Sequence, residues 1–237
     1  MPTWSKMKRF YEHAGVMEQD NSFLVVLDGR TVKTPAGSNL GSPTMALSKA
    51  MSEEWEMQTP DVKPENMPLC KLAATAIDRL KLKQDEVIGI TLKIAETDLL
   101  CYRVSEPEDL VALQNRAWNP ELDWAMDELN VILTVTAGLI PVNQPELSLL
   151  NLRNKLMLLN DFELMGLTNA ASVAGSLILA FSMFYGRIDS NTMFEKSILE
   201  EKYQVERWGE DNEAILKQEA MRNDIENSSR FLDLLRA

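Results

Sequence analysis

The sequence predicts an α+β protein, with a small β-rich N-terminal domain followed by a larger all-helical domain. Three observations lead there. The first forty residues fall into short β-rich runs separated by Asp28-Gly29 and Pro35-Ala36-Gly37. After Ser42-Pro43 the apolar residues recur at helical rather than alternating spacing. From Pro107 onward almost every segment carries that helical spacing. The expected division is residues 1–65 for the β-rich domain with one helix and 66–237 for the helical domain. The periodicity places the apparent boundary between residues 58 and 84.

Phe23-Leu24-Val25-Val26-Leu27 is a strand by residue type, and Asp28-Gly29 is a two-residue hairpin signal. Arg30 to Thr34 alternates as the return strand, and Ser38-Asn39-Leu40 begins a third strand. The run Arg9 to Glu12 is a further candidate to pair with this meander. Ser42-Pro43 reads as an N-cap with proline at the first helical position, opening a helix that reaches Gln58. Leu69–Leu80 and Gln84–Ala95 are two more helices, separated from the first by Pro60 and Pro64. Glu108–Trp118 is a helix, and Asn119-Pro120 restarts another over Glu121–Leu129. Val131 to Val135 is β-rich and is expected as a short strand. Helices follow over 145–159, 162–185, 191–208 and 211–235, with Gly186 stopping the second of them.

Charge and composition narrow the function. Of 237 residues 45% are hydrophobic and 25% charged, which suits a folded globular chain. The net charge of −12 repels phosphate backbones, so nucleic acid is not expected as a partner. Cys70 and Cys101 are too few for a disulfide framework or a closed zinc site. His13 is the only histidine, in a polar N-terminal segment, so a histidine-based nucleophile would have to be built on it. From Leu164 to Gly186 no residue is charged, a stretch long enough to span a bilayer. Thr168, Asn169, Ser172, Ser176 and Ser182 interrupt it and no basic cluster flanks it, so a buried helix is expected and membrane insertion is not. The N-terminus shows neither an apolar signal core nor a transit segment, which points to a cytoplasmic bacterial protein or to a mature form already trimmed.

Glycine-rich phosphate loops, Gly-x-Ser-x-Gly and clustered metal ligands are all missing from the sequence. Neither cofactor nor metal is expected, and the chain does not read as an enzyme. Carboxylates are abundant, and on helices they ordinarily make a solvated face. A small enzyme using carboxylate chemistry is the alternative reading, and a membrane-associated scaffold a third.

Several strings together resemble one family. They are Leu27-Asp28-Gly29-Arg30 with Val32-Lys33-Thr34-Pro35, Glu53-Glu54-Trp55, Met67-Pro68-Leu69, and Thr75-Ala76-Ile77-Asp78-Arg79. Glu96 to Arg103, Trp118-Asn119-Pro120 with Leu122-Asp123-Trp124-Ala125, Gly175-Ser176-Leu177, and Leu199 to Asp211 complete the series. In this order they resemble the ATP synthase assembly chaperones that serve the α subunit of the catalytic head, found in mitochondria and α-proteobacteria. The resemblance runs from about residue 4 to the C-terminus. It implies a small β-rich domain joined to a helical one. It also implies a chaperone that holds the unassembled α subunit and prevents its aggregation until β subunits replace it; a monomer is expected when free, though the sequence itself leaves this open.

The candidate client-binding residues lie in the last string: Glu200, Tyr203, Gln204, Arg207, Trp208, Glu210 and Asp211. The first five recur at three- and four-residue spacing, which gathers a polar-aromatic set on one helical face. Gly209 is expected to end that helix, and Glu210-Asp211 to open the next, where acids suit the positive helix end. The resemblance implies that the acidic residue matching Glu200 sits on the client-binding surface, and Glu200 is expected to contact the client without supporting the fold. Trp55, Trp118, Trp124 and Trp208 are the large anchors, each expected in a core before an interface. The acidic stretch 106–128, with Arg116 its single basic residue, reads as a solvated face.

Overall fold

The structure, a computed structural model, describes residue 4 and residues 7–138, 142–209 and 212–237. Short strands gather at the N-terminal end, and ten helices make up most of the remaining described residues, the α+β class the sequence predicts. Residues 1–84, 160–166 and 230–237 form one compact unit, and residues 85–159 and 167–229 form the other.

In the first unit β1 (Met7–Lys8) pairs with the later strand Asp61–Val62. The hairpin of β2 (Ala14–Gln19) and β3 (Ser22–Leu27) is antiparallel, from Ala14 opposite Leu27 to Gln19 opposite Ser22. Its turn places Asp20 and Asn21 at positive φ, a conformation these two residue types tolerate. This strand, not Arg9 to Glu12, is the partner of β3. Asp28-Gly29 makes the expected second hairpin, both residues at positive φ, into β4 (Arg30–Thr31). β5 (Gly41–Ser42) returns to β3, with Gly41 opposite Leu24. A Cβ on Gly41 would lie 2.6 Å from the Phe23 carbonyl oxygen, so only glycine lets these strands approach so closely.

Helix α1 (Met45–Glu56) covers the sheet, burying Leu47, Met51 and Trp55 against Val25, Leu27 and Leu40. Its N-cap is Thr44, not Ser42. The Thr44 hydroxyl accepts from the Leu47 N–H and donates to the Leu234 carbonyl at 2.7 Å, while Pro43 stays outside the helix. After β6 (Asp61–Val62), α2 (Pro68–Thr75) starts on a proline with no side-chain cap of its own. Buried Glu54 supplies it: its two oxygens accept the Leu69 and Cys70 N–H groups at 2.9 Å each. Burial pushes the Glu54 carboxyl up, against the pull of those two bonds. A π-helical turn over Ala76–Leu80 leads into α3 (Lys81–Glu96).

In the second unit β7 (Tyr102–Arg103) pairs in parallel with β8 (Thr136–Ala137). Between them α4 runs unbroken from Glu108 to Leu129, with Pro120 inside it, so the restart expected at Asn119-Pro120 does not occur. Pro120 and Arg116 are both exposed, so the carbonyl that loses its bond faces water, while Trp118, Glu121 and Ala125 stay buried on the other side. Val131 to Val135 is not a strand. Ser148 Oγ bonds both backbone groups of Ile132, and the Gln144 amide bonds both of Thr134, which satisfies this apolar run without a neighbouring strand.

Helix α5 spans Glu146–Met157. The helix expected over 162–185 is two, α6 (Asp161–Ala174) and α7 (Leu177–Phe184), divided by Gly175 at φ +69° and by Ser176, whose hydroxyl caps Leu179. Every residue of α7 is buried. Among the described residues no helix is long and apolar enough to cross a membrane. The segment 191–208 is likewise two helices, α8 (Ser190–Ser197) and α9 (Leu199–Trp208), and α10 runs Asn212–Leu234. Both cysteines are buried free thiols, and burial pushes Cys101 up to about 12.

Candidate functional site

The candidate residues lie on α9, and α4 holds that helix in place. The buried face of α4 reads Leu110, Gln114, Trp118, Glu121, Ala125 and Leu129, a helical stripe with two polar members. The Trp118 indole donates to the Lys196 carbonyl at 2.9 Å, just before α9 begins. Lys196 Nζ donates back to the Ala117 carbonyl at 2.7 Å and to Glu121 Oε1 at 2.8 Å. Glu121 Oε2 accepts from Ser182 at 2.6 Å and Arg187 at 3.2 Å. Burial alone would raise the Glu121 carboxyl, but Lys196, Ser182 and Arg187 together hold it below its ordinary value. The Arg103 guanidinium lies 5.0 Å from the Trp118 ring centre and closes the same cluster.

Three of the predicted residues turn toward α4. Gln114 Nε2 donates to Glu200 Oε1 at 2.5 Å, and burial raises the half-buried Glu200 carboxyl. The Tyr203 hydroxyl donates to Asp109 Oδ1 at 2.7 Å, and Arg207 pairs with the other Asp109 oxygen. The Arg207 guanidinium also sits over the Tyr203 ring, 4.4 Å from its centre. The Asp109 carboxyl is lowered, first by the Tyr203 hydrogen bond. Gln204 is exposed, and Trp208 stands 77% exposed at the end of the helix. Gly209 closes α9 at φ +90°. Glu210 and Asp211 lie outside the described residues.

The face predicted from spacing therefore divides in two. Glu200, Tyr203 and Arg207 form a polar seam with Asp109 and Gln114, and Gln204 and Trp208 are presented to solvent. Asp109 and Gln114 escaped the sequence reading. Gln114 leaves one trace there, as a polar residue in the apolar stripe of α4. Of the four anchor tryptophans, Trp55 and Trp118 are core as expected, Trp124 is half-buried against Tyr185, and Trp208 is the exception.

On its other side α9 borders a concavity of about 450 Å³. Phe194, Ile198, Val205 and Ile215 line it, with Glu195, Lys202, Glu206, Glu219 and Arg222. Glu195 binds both Lys202 and Arg222, and its carboxyl is lowered, first by Lys202. Among the described residues no group of histidine, cysteine and acidic side chains is placed to hold a metal ion.

Comparison with known proteins agrees with this architecture. Residues 8–126 match the family described as ATP12 chaperone protein. The mitochondrial protein atp12 of Schizosaccharomyces pombe is 27% identical over 235 residues, covering 94% of this chain and 81% of that one. The crystal structure of Atp12 from Paracoccus denitrificans superposes with a TM-score of 0.92 at 37% identity, covering 98% of this chain and 99% of that chain. An aspartate-to-lysine mutant of the P. denitrificans protein superposes equally well, with the same TM-score and coverage. A family match over half the chain, together with a fold shared along nearly its whole length, identifies this chain as a member of the ATP12 chaperone family, the assembly chaperones that its sequence strings resemble.

Proposed function

We propose that this chain binds the unassembled ATP synthase α subunit and prevents its aggregation before the catalytic head forms. In this reading α9 and its C-terminal end are the contact, through Glu200, Tyr203, Gln204, Arg207, Trp208, Glu210 and Asp211. The observation that carries it is Trp208, a whole indole left 77% exposed at the end of a helix whose neighbouring side chains are fixed from below. Burying such a ring against a client contributes about 2 kcal/mol, enough for one anchor of a releasable complex. The seam of Asp109 with Tyr203 and Arg207 holds α9 in one orientation, so less freedom is lost on binding. Leu147, Leu150 and Leu158 near α5 and Leu216 on α10 are also exposed, the apolar surface expected of a protein that shields unassembled subunits.

We read the chain as a binding protein without catalysis. The buried carboxylates that an acid–base site would need are committed elsewhere. Glu54 holds the start of α2, Asp98 the start of α7, and Glu121 is an ion-pair hub. The test is capture from lysate on tagged full-length protein. Enrichment of α over β subunit, reduced by Trp208→Ser without a change in melting temperature, supports the proposal. Capture without α enrichment refutes it.

A further inference from the structure

The N-terminal unit holds a second concavity, of about 480 Å³, whose walls are tied by hydrogen bonds and ring contacts. The Trp4 indole donates to the Lys33 carbonyl at 3.0 Å, and the Tyr11 hydroxyl donates to the Trp55 carbonyl at 2.6 Å. Trp4 and Tyr11 both meet Trp55 edge-to-face, with ring centres 5.5 Å and 5.9 Å apart. Phe10, 66% exposed, stands edge-on to Tyr11. Each wall ring is thus held by a polar bond, a ring contact or both, as in pockets formed before their ligand arrives.

The charged groups here are Asp28, Arg30 and Lys33. Asp28 is occupied: its carboxylate accepts the Glu12 and His13 N–H groups, and these bonds lower its carboxyl. Lys33 Nζ donates to Asn39 at 2.5 Å. The guanidinium of Arg30, exposed on β4, makes no hydrogen bond or ion pair among the described residues. Around an aromatic floor, a chain of net charge −12 therefore presents an uncommitted guanidinium. A guanidinium selects carboxylates, often through two parallel hydrogen bonds, and the rings select a flat or branched apolar group.

We propose that this concavity binds a short acidic-apolar peptide segment of the client. One aromatic or aliphatic side chain lies against exposed Phe10 and the small accessible parts of Trp4 and Tyr11, with Trp55 buried beneath them, and a neighbouring carboxylate sits on Arg30. Peptide binding stands on this geometry alone, while the assignment to the client rests on the function proposed above.

The experiment uses the full chain and two probe peptides, acetyl-Glu-Phe-Leu-Asp-amide and acetyl-Lys-Phe-Leu-Lys-amide, titrated by calorimetry. The acidic peptide is expected to saturate and to bind at least about tenfold more tightly than its lysine counterpart. Arg30→Glu should weaken it about tenfold or more, and Arg30→Lys less, with melting temperatures unchanged. Absence of saturation, equal binding of the two peptides, or an unaffected Arg30→Glu variant overturns the proposal. Client assignment is read separately, by adding the acidic peptide to α subunit capture. Competition in wild type but not in Arg30→Glu supports it. Undisturbed capture beside intact peptide binding overturns it and leaves the function reading standing. If wild type binds the peptide but captures no α subunit, the function reading has failed, and the client assignment falls with it.

Discussion

Gln114 joins Glu200 to the backbone of the protein. Its side-chain oxygen accepts the Val104 N–H at 3.0 Å, and its side-chain nitrogen donates to Glu200 Oε1 at 2.5 Å. A buried amide with both ends satisfied is costly to strand. Glu200 therefore supports the fold, contrary to the expectation from the sequence that it would not, at the same position where a client contact is proposed.

The two roles separate by substitution. Glu200→Lys leaves the Gln114 amide without an acceptor and should cost about 1–2 kcal/mol, lowering the melting temperature by roughly 2–8 °C. Glu200→Gln keeps an acceptor and should melt near wild type. Since burial raises the Glu200 carboxyl, its ionisation disfavours folding, so this term weakens stability as pH rises through its titration. If Glu200→Gln folds normally and loses α subunit capture, the carboxylate is a contact. If Glu200→Gln captures like wild type and Glu200→Lys fails only in proportion to its lost stability, the contact role is gone.

The strings shared with the family are devices of the fold. Asp28 ties down the Glu12 and His13 amides, Glu54 caps α2, and Asp78 binds Thr34 and Ala36 at 2.6 Å and 3.0 Å. Asp98 caps α7, and Trp118 docks on Lys196. Each is legible as a motif because its residue type has one job at one place. The turn at Asp28-Gly29 was readable because two adjacent residues specify it. Two other local signals were overridden or hidden. Pro120 signals a break, but burial on the far side of α4 outweighs one bond lost to solvent. The Gly175-Ser176 break leaves no change of pattern, because the sequence on both sides is equally apolar. In the candidate site Trp208 was visible, whereas Asp109 and Gln114 meet α9 from some ninety residues away in the chain, and no local pattern announces such a partner.

Two glycines should respond to alanine with opposite signs. At Gly41 the new Cβ would fall 2.6 Å from a backbone oxygen and 2.7 Å from Leu24 Cδ2, and backbone cannot step aside cheaply. Gly41→Ala should lose about 2–3 kcal/mol in urea unfolding. Gly89, within α3, has nothing within 4 Å of that position. Gly89→Ala should gain about 0.5–1 kcal/mol from helix propensity and reduced freedom of the unfolded chain. Equal effects at the two sites would contradict the packing described for β5.

Glu121 gives the acid side of the stability curve. It is buried against Lys196, Arg187 and Ser182, and removing one member of such a group leaves buried charge unpaired. Glu121→Ala should cost about 3–5 kcal/mol at pH 7. The Glu121 carboxyl is held below its ordinary 4.5, so the folded state binds this proton less readily than the unfolded chain. Its contribution is present above that value and is lost as pH falls through 4.5 toward the depressed folded value. The stability gap between wild type and Glu121→Gln should therefore narrow on acidification from pH 5. A gap independent of pH would remove the ion-pair explanation.

Asp98 should show the reverse dependence. Its carboxylate is fully enclosed, accepting the Leu100 N–H at 3.1 Å with one oxygen and the Leu177 and Ile178 N–H groups at 2.8 Å and 3.2 Å with the other. No cation accompanies it among the described residues. Burial raises the carboxyl from 3.8 to about 6, against the pull of Ser176 and those three amides. Between those values the folded protein binds more protons than the unfolded chain, so the stabilising contribution is complete below pH 3.8 and declines as pH rises through 6. A shift of about two units corresponds to roughly 3 kcal/mol across that window. Asp98→Asn should lose one cap bond at every pH and lose the slope altogether. In urea unfolding at pH 4, 5, 6 and 7, wild type is expected to lose ground to Asp98→Asn steadily up to pH 6 and then run parallel to it. Parallel curves throughout would mean that the three amides, with the positive end of α7 behind them, already compensate the buried charge in full.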